Sequence, residues 1–142
     1  MMSKNKKLSK KQKVFAVAFF SVLSAMFVSM TAFATSYSTT FSFTTDLQGD
    51  TRSYSGNNIV FTAYNAYQSG PSGKATDDSY YTVKLCRSTS FITSDYIGTA
   101  NLPRVGTGTV TWTNVGPGNY YILLHKANDY YWEHCDNVVI SN

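Results

Sequence analysis

Residues Thr109 to His125 read TVTWTNVGPGNYYILLH, and this stretch decides the fold class. Val110 and Trp112 occupy alternate positions among threonines, and Tyr120, Ile122 and Leu124 do the same further on. A period of two belongs to extended backbone, where successive side chains point to opposite faces. Between the runs lies Val115-Gly116-Pro117-Gly118-Asn119. Gly accepts backbone angles other residues resist, and Pro fixes one of its own, so the pair punctuates a turn. The reading is strand, tight turn, strand.

Outward from this core the pattern repeats. Tyr37, Thr39, Phe41 and Phe43 share one face of a first strand, and Ile59, Phe61 and Ala63 share one face of a second that ends near Tyr67. Gln68 to Ser79 is a polar loop, after which Tyr81, Val83 and Leu85 mark a strand ending at Cys86. A shorter strand covers Tyr96 to Leu102, with a turn at Pro103 to Gly106. After His125, Ala127-Asn128-Asp129 turns the chain once more, and Tyr130 to Ile140 supplies the closing strand or strands. Seven or eight short strands, with a turn signal about every ten residues, predict an all-β antiparallel sandwich. Composition agrees. Beyond residue 34 the chain holds all eleven Tyr, nine Gly and three Pro, and 28 of its 108 residues are Ser or Thr. Those residues suit strands and turns and are poor helix formers.

The segment Thr109–Tyr121 resembles the V-x-x-G-x-Y corner near the end of small immunoglobulin-like sandwiches in secreted bacterial proteins. In those proteins a buried Tyr opens the penultimate strand after a Pro-Gly turn, and a V-x-V strand, here Val138-Val139-Ile140, closes the sheet. The resemblance spans about 35 residues and implies an immunoglobulin-like architecture. It implies no functional residue. Isopeptide-bonded pilin modules carry a Lys in the first strand. Tyr37 to Thr45 has none, so no self-crosslink is expected.

The N-terminus reads differently. Six of the twelve Lys and Arg residues fall in the first thirteen positions, and no acid precedes Asp46. An apolar run from Val14 to about Val28 is broken only by Ser21 and Ser24, and Ala32-Phe33-Ala34 gives a small-x-small cleavage site. Residues 1–34 are therefore expected to be a helical secretory signal peptide, and 35–142 a single domain, extracellular and without a membrane anchor after cleavage; an uncleaved anchor spanning Val14 to Phe33 is the alternative. With six positive and eight negative charges, the domain lacks the basic footprint of a nucleic-acid binder. Cys86 and Cys135, the only cysteines of an exported chain, are expected to form one disulfide. That bond would close a loop of about 50 residues and add on the order of 4 kcal/mol.

Candidates for chemistry are few. His125, His134 and Glu133 are the main acid–base residues. A turn near Asp129 would make the two histidines cross-strand neighbours, with Glu133 and Asp136 nearby. Two imidazoles without H-x-H or H-x-x-x-H spacing still fall short of a metal site. Asp77-Asp78 lacks the glycine-spaced acidic loop of a calcium site, and Ser69 to Lys74 lacks the spacing of a phosphate loop. Leu102-Pro103-Arg104-Val105-Gly106 reads as a turn, not a wall-sorting signal, with so much of the domain behind it. No cofactor, metal or catalytic residue is expected.

Aromatic doublets are more informative. Neighbouring residues in a strand cannot both face the core. If Tyr81 and Tyr120 face inward, Tyr80, Tyr121 and Leu123 face outward, while Trp132 shares its face with Tyr130 and His134. Tyr80, Tyr121, Leu123, Tyr130 and Trp132 are therefore the expected ligand-binding residues. Rings with an apolar face and a polar tip suit a carbohydrate, cell-wall or cell-surface protein partner. The sequence thus predicts a secreted, non-enzymatic binding protein; a secreted antimicrobial, toxin or inhibitor is the alternative.

Overall fold

The computed structural model describes residues 35–71, 80–90 and 93–142. The expected leader, 1–34, and residues 72–79 of the polar loop, with Asp77-Asp78, lie outside the described residues. Every regular element among the described residues is a strand. In chain order these are β1 (Ser36–Phe43), β2 (Asp46–Gln48), β3 (Arg52–Tyr54), β4 (Ile59–Ser69), β5 (Tyr80–Ser88), β6 (Ser94–Pro103), β7 (Gly106–Trp112), β8 (Gly118–His125) and β9 (Trp132–Ser141).

All pairings are antiparallel. One sheet has the order β1-β9-β4-β7, and the other β2-β8-β5-β6 with β3 also on β8. Their inner faces share one apolar core. Phe41, Phe61, Trp112 and Val138 come from the first sheet; Tyr81, Leu85, Tyr120 and Ile122 come from the second. Phe41 meets the Tyr81 ring edge-on at 5.6 Å, an aromatic contact spanning the two sheets. The expected strands are all present. The count is nine, because β2 and β3 are three-residue pieces too short to show a period.

The expected disulfide is absent. Cys86 and Cys135 are free thiols, both buried. The reason is parity. Cys135 follows the inward Glu133 on β9 and belongs to the core, its Sγ 3.3 Å from the Tyr64 and Asn137 carbonyl oxygens. Cys86 follows the inward Leu85 and pairs with Tyr121, on the outer face of the other sheet. A sheet thus stands between the two sulfurs. Burial pushes the Cys135 thiol pKa up from its ordinary value.

The Pro-Gly corner is as the resemblance implied. Tyr120 is buried, and its hydroxyl lies 2.6 Å from the Val115 carbonyl oxygen and 2.9 Å from that of Gly116, for either of which it is the donor. Gly116 has φ +72°, a conformation a side chain resists.

The sandwich has two lateral seams. At β6 and β7, Trp112 packs on Gly98, where an added Cβ would lie 2.9 Å from the indole Cδ1. Leu102 and Pro103 pack on Gly108 in the same way. At β1 and β2–β3 the sheets part around a crevice of about 120 Å³, reaching inward to Phe61, Leu85 and Val138. At its mouth Arg52 lies over the Tyr37 ring, 5.0 Å from the centroid, and bonds Asp50 at 3.0 Å.

Candidate functional site

The structure divides the expected aromatic surface between opposite faces. Tyr80, Tyr121 and Leu123 lie on the outer face of the five-stranded sheet, in register with Pro103, Cys86 and Lys84 respectively. There Tyr80 is exposed and Tyr121 half-buried, its hydroxyl 2.8 Å from Ser94 Oγ. Leu123 is half-buried between Lys84 and Gln48 on the flanking strands. This face is a mixture of hydroxyls, charges and separated rings.

Trp132 stands on the outer face of the four-stranded sheet, in a group the sequence reading did not assemble. Tyr67 on β4 pairs with His134 on β9, their ring centroids 4.9 Å apart and planes 17° from parallel. Trp132, two residues along β9, keeps the same 17° to His134 at 6.2 Å. Both imidazole nitrogens have serine partners: Ser42 Oγ at 3.0 Å from Nδ1 and Ser69 Oγ at 2.7 Å from Nε2. Tyr67 is 44% exposed and Trp132 48%. Tyr130 precedes the group in a left-handed conformation (φ +67°), its side chain exposed.

Tyr67 escaped the sequence reading because of a bulge. Counted by twos from Ile59, it falls on the core face with Phe61 and Ala63. The register with β7 shifts between Ala63 and Ala66, so three steps on β4 match two on β7, and Asn65 takes φ +56° within the shift. An inserted residue reverses every later parity. Ala66 therefore turns inward and Tyr67 outward. The one sequence sign was Asn65, a residue type that tolerates the left-handed region better than most.

The expected His125–His134 neighbourhood is also corrected. His125 ends β8 on the five-stranded sheet, with Nδ1 2.7 Å from Asp46 Oδ1, whereas His134 belongs to the other sheet. The turn after β8 carries the chain between sheets instead of folding a hairpin. Among the described residues no group of three or more His, Cys, Asp or Glu side chains is placed to hold a metal ion.

The group is held from beneath by a buried ionic network. Glu133 lies between Trp132 and His134 and points the other way, fully buried. Arg104, from the β6–β7 turn, bonds Glu133 Oε2 through Nε at 2.8 Å and Asp129 through a terminal guanidinium nitrogen. Lys126 Nζ approaches Asp129 Oδ1 at 2.6 Å, and the Tyr131 amide donates to the same oxygen at 3.1 Å. This fixes the β8–β9 loop and the start of β9, so inward anchoring of Glu133 obliges Trp132 and His134 to face solvent.

Burial alone would push the Asp129 carboxyl pKa up, but Arg104 and Lys126 hold it well below the ordinary carboxylate range. Glu133 moves the opposite way. Burial pushes its pKa up, Arg104 offsets this only in part, and its Oε1 has no partner among the described residues. The buried Tyr81 hydroxyl, also without a partner, is shifted up by burial and by Cys135 and Glu133. An ion-paired interior carboxylate cannot serve as a base for a substrate on the surface. The surface group offers rings and serine hydroxyls instead, which suits contact with a hydroxylated, weakly charged partner.

In comparison with known proteins, no family model matches the chain and no curated protein matches it in sequence.

Proposed function

We propose that this is an exported, non-enzymatic immunoglobulin-like protein that binds a cell-wall or extracellular polysaccharide. Its binding surface is the outer face of the four-stranded sheet. The observation that carries this reading is the near-parallel group of Tyr67, His134 and Trp132, with two rings close to half-exposed and serines on both imidazole nitrogens. Sugar rings present C–H faces that pack on aromatic rings and hydroxyls that bond to serine and to the Trp132 indole N–H. Tyr130, exposed just before β9, extends the surface. The outer face of the other sheet supports binding less well, since Leu123 there is flanked by Lys84 and Gln48.

The test is retention of the purified protein on insoluble cell-wall and polysaccharide preparations. Trp132→Ala with Tyr67→Ala is expected to abolish retention, while Tyr121→Ala with Leu123→Ala keeps it. Equal retention of both double variants overturns the reading.

A further inference from the structure

The two sheets treat their edges differently. A strand edge carries unpaired backbone groups, and folded proteins blunt it with charge, proline, a bulge or brevity. The five-stranded sheet uses all four. β6 carries Asp95 and Pro103 and also an inserted residue, since Leu85 pairs with Gly98 but Cys86 pairs with Tyr96. β2 and β3 are three residues each and carry Asp46 and Arg52.

Among the described residues, the four-stranded sheet uses none of these. β1, SYSTTFSF, and β7, GTGTVTW, contain no charge and no proline over eight and seven residues. Its bulges lie on the inner strands: β9 takes three steps to β1's two between Thr39 and Phe41, and β4 takes three to β7's two. Both edges are left regular.

We propose that copies of this protein assemble head to tail through the four-stranded sheet, β7 of one copy pairing with β1 of the next. Polarity permits it. Four strictly antiparallel strands leave β1 and β7 pointing in opposite directions, so a copy shifted along the sheet meets its neighbour antiparallel. Chemistry matches as well. The outward positions are hydroxylic on both edges, Ser36 and Ser38 on β1 and Thr109 and Thr111 on β7, and neither strand carries a charge. A strand added to β1 also runs beside the mouth of the crevice, which β1 borders. A second copy is the partner that brings the other unguarded edge. Because the joined surfaces differ, the contact cannot close as a two-fold dimer, and copies shifted along the sheet without rotation add open-endedly.

The experiment is sedimentation velocity over a concentration series of the purified protein, with negative-stain electron microscopy. Elongated species growing past the dimer are expected. Ser38→Lys and Thr111→Lys, both at solvent-facing positions, should each return the protein to monomer with unchanged circular dichroism. Should either variant disturb the fold, the other, on the opposite edge, gives the same reading. Ser38→Lys combined with Thr109→Glu should restore assembly, because Ser38, Val139, Thr62 and Thr109 lie on one cross-strand row and a copy shifted straight along the sheet sets Ser38 opposite Thr109. A monomer at every concentration, growth that stops at a dimer, or a combined variant as disrupted as Ser38→Lys alone overturns the proposal.

Discussion

The seam at β6 and β7 and the seam at β1 and β2–β3 join the same two sheets by different means. At the first, Trp112 lies on Gly98 and Leu102 on Gly108, and just beyond the β6 end four charged side chains pair out of water. At the second, a crevice of about 120 Å³ remains, and the ion pair at its mouth, Asp50 with Arg52, is solvated. The contrast shows that a core can be shared evenly between two sheets while the joints around it differ. Charge counts for most where water is excluded, and size matching matters where glycine admits a large ring.

The largest expected effect is at the buried network. Asp129→Ala leaves Arg104 and Lys126, both almost fully inaccessible, without their shared carboxylate. Removing one partner of a buried pair costs about 3–5 kcal/mol, and urea unfolding should show a loss of that size. The two acids have opposite signs with pH. The Asp129 pKa is lowered in the folded state, so its contribution is complete above the ordinary carboxyl range, about pH 4, and is lost as pH falls toward the folded value. The Glu133 pKa is raised, so its contribution is greatest below that range and declines as pH rises through the folded value. Glu133→Gln should therefore gain stability relative to the parent as pH rises from about 4 to 8. A constant difference across that series would mean that Arg104 fully offsets the burial of Glu133.

Next in size is the glycine under Trp112. An added methyl at Gly98 meets the indole at 2.9 and 3.0 Å, and overpacking of that kind costs about 1–3 kcal/mol. Gly98→Ala should lower the urea midpoint accordingly. An unchanged midpoint would mean that Trp112 can shift, and that the sealed seam has slack like the open one.

These two features were unequally legible. Period-two alternation located each long strand, because one face of each is buried and each face draws its own residue types. Gly98 and Gly108 read only as punctuation, since nothing local reveals which ring lies above them. The network was hidden because Arg104, Lys126, Asp129 and Glu133 look like solvated turn and strand charges until folding brings 104 and 133 together. Tyr67 was left out of the expected surface and Cys86 was mispaired because parity is a local rule: a bulge resets it before Tyr67, and for the cysteines it set the sulfurs on different sides of a sheet. The surface aromatic group was thus half-readable. Trp132 followed from parity, whereas its neighbour on β4 depended on one inserted residue.

A smaller effect belongs to the corner between β7 and β8. Tyr120→Phe keeps the buried ring but removes the hydroxyl that bonds to Val115 and Gly116. A loss of about 1 kcal/mol is expected from thermal or urea unfolding, the usual worth of one such bond. A much larger loss would show that the corner also governs how β8 enters its sheet.

The smallest effect is expected at the mouth of the open seam, and there the comparison is most exposed to failure. Asp50 is 82% exposed and Arg52 43%, so water and salt screen their bond. Exposed pairs of this kind contribute about 0–1 kcal/mol, and Asp50→Ala should fall near the bottom of that range. Arg52 has a second contact over the Tyr37 ring that does not need the carboxylate, so the side chain can stay in place when Asp50 is lost. A urea midpoint insensitive both to this substitution and to added salt is the expected result. A loss approaching that of Asp129→Ala would mean that the crevice is held shut by charge, and that the two seams are closed by the same means after all.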